Sequence, residues 1–128
     1  MQTTRRESGS RAKKHYGSKW IRPEKRLAIY LRDGMACAYC GAGAEDEVGL
    51  SLDHITPWIQ GGSHHESNLV TCCLRCNSQR QDTALESWLI AKCGERHNSV
   101  AAFITSHVTL NLRPFRAEAD AMMARRQK

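Results

Sequence analysis

The sequence predicts a small α+β fold, with short strands at its centre, one helix on the N-terminal side and several on the C-terminal side. Residues 50–55 alternate apolar and polar side chains as a half-buried strand does, and a second short apolar run begins at Asn68. In the C-terminal third, apolar residues recur at helical spacing. The length of 128 residues suits a single domain, and the hydrophobic fraction of 41% excludes a wholly disordered chain.

The N-terminal half is predicted to contain one helix and the two strands. The helix extends from about Pro23 to Arg32, because proline suits the first helical position and a glycine lies just beyond the last residue. The first strand is predicted over Leu50–Ile55, and Pro57 prevents it from continuing. The second strand begins as Asn68–Cys72. The irregular segment over residues 35–77, which contains both strands, is a core of fewer than about 45 residues. A core of this size usually needs a metal ion or disulfides to stabilise it.

The C-terminal third is predicted to be helical. Asp82 or Thr83 can cap a helix that ends at Gly94, with Glu86 placed for a capping box. Two more helices are expected, over about 99–107 and from near residue 114 to the basic C-terminal residues. In this scheme residues 1–19 form a flexible basic arm and residues 20–128 a single domain, with a core over 35–82 and a helical part over 83–128.

The positive charge is concentrated near the N-terminus. Residues 1–32 contain ten basic and two acidic residues, a net charge of +8, whereas the remaining residues contain nine basic and eleven acidic ones, a net charge of −2. Such a basic segment suits a polyanion, and nucleic acid is the commonest one in a cell. The alternative is a solvated tail that aids solubility, and charge does not separate the two interpretations.

The sequence predicts a cytoplasmic protein that is not secreted. It lacks the roughly 18–20 consecutive apolar residues of a membrane span, and its N-terminus lacks the apolar segment of a secretory signal. In a reducing compartment, the six cysteines indicate metal binding or catalysis more than a disulfide framework.

Four of the cysteines form two C-x-x-C pairs, Cys37 with Cys40 and Cys73 with Cys76. Two such turns can complete a tetrahedral zinc site, which would stabilise the fold without an open position for chemistry. Cys72 could replace Cys73, but only Cys73 has the two-residue spacing to Cys76. Cys93, on a predicted helix, is interpreted as a buried apolar residue.

The segment between the pairs contains a further ordered set of residues. Asp53-His54-Ile55-Thr56-Pro57 is followed by Gly61-Gly62, by Asn68-Leu69, and by Asn77 directly after the last cysteine. In this combination the sequence resembles the HNH endonucleases of the ββα-metal superfamily, in the subgroup with a four-cysteine zinc site. The resemblance covers about Cys37 to Asp82.

The resemblance implies a role for each of these residues. His54 would be the general base, and Asp53 and Asn77 would bind one Mg²⁺ or Mn²⁺ ion. Asn68 would hold the loop between the strands so that His54 is oriented. Asn77 stands where many members have histidine, and an Asp–Asn oxygen pair favours Mg²⁺ or Mn²⁺ over softer metals. Asp53 and His54 are adjacent, so they can serve one site only if the strand ends or bends there.

The expected substrate is double-stranded DNA, nicked with low sequence specificity because phosphate contacts do not read bases. Small members of the family resemble phage nucleases associated with DNA packaging, which makes phage packaging proteins candidate partners. His64 and His65 are interpreted as exposed loop residues. The alternative function is a zinc-knuckle module that binds nucleic acid without cutting it. The predicted DNA contacts are Arg22, Lys25, Arg26, Arg75 and Arg80.

Overall fold

The computed structural model describes residues 20–43, 46 and 48–126, so the predicted basic arm over 1–19 lies outside the described residues. None of the helices in this part of the chain is long and apolar enough to cross a membrane. The helices and strands are, in order, α1 Pro23–Arg32, β1 Leu50–His54, β2 Leu69–Cys73, α2 Leu74–Arg80, α3 Leu85–Cys93, α4 His97–Val108 and α5 Arg113–Arg126.

The centre of the fold is a ββα unit. β1 and β2 pair antiparallel, with Leu50 opposite Cys73 at one end and His54 opposite Leu69 at the other. α2 begins directly after β2, without a connecting loop. The predicted α+β class with a small ββα core is therefore confirmed. A two-stranded sheet of this size is marginal alone, so it depends on the helices and the cysteines around it.

Two clusters of buried residues cover the two sides of this unit. The first joins the cysteine region and β2 to α3 and α4, and it includes Tyr39, Trp88 and Ile104. The second joins α1 and α5 to the sheet, and it includes Ile29 and Leu69. The flanking helices thus supply most of the apolar surface that the short strands lack.

A buried ion pair attaches α1 to the sheet. The Arg32 guanidinium binds the Asp33 carboxylate, with 2.7 Å between Nε and Oδ1, and both side chains are fully buried. Arg32 also donates to the carbonyls of Glu66 and Leu69, and Asp33 accepts from the backbone N–H of Thr71. These bonds fix the C-terminal end of α1 against β2 and the turn before it.

The predicted bounds of α1 agree with the structure, and Gly94 does end α3, at a positive φ of 57°. The predicted cap of α3 is wrong. This helix begins at Leu85 after Ala84, with no side-chain cap, so Asp82 and Thr83 do not cap it and no capping box forms. The reason is local, because the Thr83 carbonyl accepts a 2.9 Å hydrogen bond from Arg80 Nε and belongs to the turn that closes α2.

Candidate active site

The two C-x-x-C turns meet at one end of the sheet. The sulfur atoms of Cys37, Cys40, Cys73 and Cys76 all lie within 4.8 Å of one another. Within each turn the fourth residue donates its backbone N–H to the first sulfur, at 3.5 Å for Cys40 to Cys37 and 3.4 Å for Cys76 to Cys73. Four convergent thiols are the donor set of a closed tetrahedral metal site. The predicted four-cysteine cluster is confirmed.

The structure also decides between Cys72 and Cys73. Cys73 belongs to the cluster, whereas the Cys72 side chain is completely buried in the apolar core. Burial raises the pKa of the Cys72 thiol far above its ordinary value, so the thiol stays protonated. Cys93 is likewise buried on α3, with its sulfur 3.5 Å from the Tyr39 carbonyl. The preference for Cys73 as the fourth member is confirmed.

At the other end of the sheet, β1 ends with Asp53 and His54. Their side chains point to opposite faces, as the alternation of a strand requires. Asp53 faces Tyr39 and Arg80, while His54 faces His64. The contacts described for the two residues therefore lie on opposite sides of the strand, although the strand does end at His54 as expected.

Arg80 makes four side-chain hydrogen bonds, three of them to the end of β1 and the residue that follows it. Its Nη1 lies 2.7 Å from Asp53 Oδ2 and 2.8 Å from the His54 carbonyl oxygen, and its Nη2 lies 2.8 Å from the Ile55 carbonyl oxygen. The fourth bond is the one from Nε to Thr83 described above. One guanidinium thus holds both the last two residues of the strand and the loop that follows.

The prediction that Arg80 contacts DNA is wrong. Its side chain is completely buried, and its N–H groups are used by Asp53 and by backbone carbonyls. Burial raises the pKa of Asp53, and the opposite charge of Arg80 counteracts this increase. The Tyr39 hydroxyl also donates to Asp53 Oδ2, and burial together with the Asp53 charge raises the pKa of Tyr39 well above its ordinary value.

His54 is buried in an aromatic environment. It is only 5% exposed, and its ring lies 4.9 Å from Trp20 and 6.2 Å from Trp58, centroid to centroid. Nε2 of His54 lies 2.9 Å from Nδ1 of His64. Burial, followed by the charges of His64 and Arg80, lowers the pKa of His54 to about 4. The imidazole is therefore neutral at physiological pH, which is the form that can accept a proton.

Asn68 closes the loop between the strands. Its side-chain oxygen accepts from the Thr56 N–H at 2.8 Å, and its Nδ2 donates to the carbonyls of Thr56 and Ser63 at 3.1 and 2.9 Å. Gly62 allows this close packing, because a Cβ there would lie 1.8 Å from the Thr56 oxygen. The loop that starts directly after His54 is thus held to one shape.

Asn77 lies on α2, on the face of β1 that Asp53 also uses. Its Nδ2 donates to Ser51 Oγ at 3.1 Å, and Ser51 and Asp53 are two residues apart on the strand. The Asp53 carboxylate and the Asn77 amide offer oxygen atoms, so the donor type fits a hard cation such as Mg²⁺. The positive charge of Arg80 on the carboxylate opposes the binding of a cation there.

The other four residues predicted to contact DNA differ in the solvent exposure of their side chains. Arg22 and Arg75 are exposed. Lys25 is half-buried and pairs with Glu66 at 3.3 Å, and Arg26 lies over the Trp20 ring at 5.6 Å. Among these four side chains, those of Arg22 and Arg75 are the ones that the described structure leaves exposed to a phosphate.

One known family model matches a segment that contains both the cysteine cluster and the end of β1. Residues 37–83 match the family model described as HNH endonuclease. This segment is similar to an HNH endonuclease domain, and it is called the HNH segment, or HNH domain, below. The predicted extent of the resemblance, Cys37 to Asp82, agrees with the match to within one residue.

Two curated proteins resemble part of the chain. The CRISPR-associated endonuclease Cas9 of Actinomyces naeslundii is 40% identical over 76 residues, which cover 59% of this chain and 7% of the relative. The Cas9 of Corynebacterium diphtheriae is 34% identical over 64 residues, which cover 49% of this chain and 6% of the relative. The chain thus spans less than a tenth of the length of either relative. No solved structure matches the chain significantly.

Two features of the HNH domain were missed by sequence reasoning. His64 was interpreted as an exposed loop residue, but it is half-buried and contacts His54. Tyr39, inside the first C-x-x-C turn, was assigned no role, but it binds Asp53. Neither contact has a signal in spacing, because each joins residues from separate segments that only the tertiary fold brings together.

The contrast between Arg80 and Arg75 can be measured. Arg80→Met should lower the free energy of unfolding by about 3–5 kcal/mol, because it leaves the buried Asp53 carboxylate unpaired. The exposed Arg75→Ala should change it by less than about 0.5 kcal/mol and should weaken DNA binding in a salt-dependent way. Urea denaturation and fluorescence anisotropy with labelled duplex test both. An Arg80→Met protein of normal stability with weakened DNA binding would restore the phosphate role of Arg80.

The low pKa of His54 can be observed by NMR. We expect its ring signals to titrate with a midpoint of about 4 in the folded protein and at about 6.5 in urea. Because the folded pKa lies below the unfolded one, the unfolded state binds more protons between these values. Stability from this group is complete above pH 6.5 and declines as the pH falls towards 4. A folded midpoint at or above 6.5 contradicts the burial of the ring.

Proposed function

We propose that this chain is a metal-dependent HNH endonuclease that hydrolyses phosphodiester bonds in DNA. The observation that carries the proposal is a neutral, buried His54 at the end of β1, inside the segment that matches the HNH endonuclease family. Hydrolysis requires a group that accepts a proton from the attacking water, and a neutral imidazole at the strand end has this chemistry.

Each residue of the proposed site has a separate task. His54 accepts the proton of the attacking water, and Asn68 keeps the following loop in the shape that orients His54. Asp53 and Asn77 are the proposed ligands of Mg²⁺ or Mn²⁺, which when bound stabilises the negative charge on the phosphate. Arg80 shares the Asp53 carboxylate, so metal binding has to compete with this ion pair.

We propose Zn²⁺ as the ion of the four-cysteine cluster, because four thiolates prefer it and leave no open position. Its role is then structural. Four thiolates and Zn²⁺ carry a net charge of −2, so the cluster itself does not attract DNA. Arg22 and Arg75, with Lys25 and Arg26, are the proposed phosphate contacts.

Phosphate contacts without base contacts lead us to propose low sequence specificity. A site with one general base acts on one phosphodiester bond at a time, so the proposed product is a nick. A bacterial or phage-encoded cytoplasmic protein and phage packaging partners remain predictions from the resemblance.

A binding module without catalysis is the second candidate. Two observations favour it. The ion pair with Arg80 neutralises the Asp53 carboxylate, and His54 lies on the face of the strand opposite to Asp53. In this case the HNH domain would serve as a scaffold for nucleic-acid binding, and its affinity would come from the basic residues.

Plasmid cleavage separates the two functions. With supercoiled plasmid and Mg²⁺ or Mn²⁺, the zinc-loaded protein should produce open-circular DNA before linear DNA. His54→Ala should lower the rate by at least about 100-fold, the typical contribution of a general base. His97→Ala, at the start of α4, is the matched control and should leave the rate unchanged.

Cleavage that survives in His54→Ala would remove His54 as the base. Absence of cleavage by the wild-type protein with either metal, together with salt-sensitive DNA binding, would establish the binding module instead.

A further inference from the structure

Two side chains of α2 contact two side chains on one face of β1. Asn77 Nδ2 donates to Ser51 Oγ at 3.1 Å. Arg80 Nη1 donates to Asp53 Oδ2 at 2.7 Å. Ser51 and Asp53 are two residues apart on the strand, so they share one of its faces. Asn77 and Arg80 are three residues apart on the helix, which places them on one face as well. The contact with Ser51 is therefore the neighbour of the contact with Asp53.

The Asn77 amide is bound at its nitrogen and open at its oxygen. Among the residues that the structure describes, Ser51 is the hydrogen-bond partner of the Asn77 side chain, and no group donates a hydrogen bond to Asn77 Oδ1. Both residues are half-buried. Oxygen atoms of this kind are the ligands that hard cations such as Mg²⁺ and Mn²⁺ prefer. The open end of the amide is therefore the end that can serve as a metal ligand.

The contact with Ser51 determines which end of the amide is open. An asparagine side chain has two ends of similar shape, a carbonyl oxygen that can bind a cation and an NH2 group that cannot. Because the NH2 group is bound to Ser51, the oxygen points away from Ser51 Oγ. If the amide turned over, the NH2 group would take the place of the oxygen, and the ligand atom would be lost.

We propose that Ser51 is a positioning residue for the Mg²⁺ or Mn²⁺ site. Its hydroxyl oxygen accepts the hydrogen bond from Asn77 Nδ2 and thereby keeps Asn77 Oδ1 as the end that is presented to the ion. This inference rests on the proposed function, in which Asn77 is a metal ligand. Ser51 itself touches neither the ion nor the phosphate, and it acts through the orientation of the Asn77 amide.

The orientation of the amide can be measured without any cleavage. In the zinc-loaded full chain, ¹⁵N-edited nuclear Overhauser spectra should contain cross-peaks between the NH2 protons of Asn77 and the β protons of Ser51. In Ser51→Ala the corresponding cross-peaks to residue 51 should weaken, because no acceptor holds the NH2 group there. Absence of these cross-peaks in the wild-type protein would mean that the oxygen faces Ser51, and it would overturn the proposal even if the protein cuts DNA.

Binding of Mn²⁺, measured by electron paramagnetic resonance on the zinc-loaded protein, is the second test. Ser51→Ala and Ser51→Val should weaken it by about 10- to 100-fold, the usual effect of removing the partner of a metal ligand. Ser51→Thr has the shape of the valine variant but keeps the hydroxyl oxygen, so it should stay within about threefold of the wild type. Ser78→Ala is the matched control and should leave the affinity unchanged, because Ser78 follows Asn77 on α2 and is exposed.

An Asn77→Asp background separates the orientation of the amide from a general effect on the strand. A carboxylate presents an oxygen at either end, so it does not matter which end faces residue 51. In this background, Ser51→Ala should change the Mn²⁺ affinity by less than about threefold, and the two substitutions should not be additive. The same loss of about tenfold or more in both backgrounds would overturn the proposal.

Circular dichroism and zinc content show whether each variant is folded. If Ser51→Ala does not fold, the comparison of Ser51→Val with Ser51→Thr and the wild-type amide orientation decide the matter. A protein that cuts DNA, with wild-type Mn²⁺ affinity in Ser51→Ala, would refute this inference alone. A protein whose Mn²⁺ affinity depends on Ser51 as expected but which does not cut DNA would refute the proposed endonuclease activity alone. A wild-type protein that binds no Mn²⁺ would refute both.

Discussion

The convergence of four sulfur atoms at one end of a two-stranded sheet is the constraint on which the rest of this structure depends. The strands are five residues long, and a sheet of this size is not stable alone. The cysteine cluster joins the loop over 37–40 to the end of β2 and the first turn of α2. It therefore sets the point where α2 begins and the direction in which it runs.

Arg80 sets where α2 ends. From the cluster, α2 runs back along β1 for seven residues, about 10 Å. This brings the guanidinium to Asp53 and to the carbonyls of His54 and Ile55, at the end of the sheet opposite the cluster. The metal-binding end and the end with His54 are thus connected by one short helix.

The two faces of β1 explain the arrangement of the candidate site. Asp53 lies on the face covered by α2, where burial and Arg80 determine its ionisation. His54 lies on the other face, among Trp20, Trp58 and His64, where burial keeps it neutral. The carboxylate and the imidazole are adjacent in sequence but lie in different surroundings, and the Arg80 charge lowers the pKa of both.

Much of this organisation could be predicted from the sequence, because its signals are local. Pro23 marks the start of α1, Gly94 marks the end of α3, and the spacing of Cys73 and Cys76 selects the right cysteine of the second pair. The motif residues His54 and Asn68 stand at a strand end and at a loop closure, as the resemblance implied.

The errors concern long-range partners. Arg80 looked like a surface cation because charge on a short helix usually faces water, and only the fold reveals the buried carboxylate that binds it. The cap of α3 failed for the same reason, since Arg80 holds Thr83 in the preceding turn. His64 was underestimated because its partner lies ten residues away across an irregular loop. Tertiary contacts outweighed local preference in all three cases.

The dependence of folding on the cluster is the most direct test of this account. The metal-free, reduced protein should be titrated with Zn²⁺ while near-ultraviolet circular dichroism reports the packing of Trp88 and Tyr39, which lie in the same buried cluster as the cysteines. The account predicts a folding transition that saturates at one ion per chain, is lost in Cys73→Ser and keeps its stoichiometry in Cys72→Ser. Full native packing in the metal-free protein, or loss of the ion in Cys72→Ser alone, would contradict it.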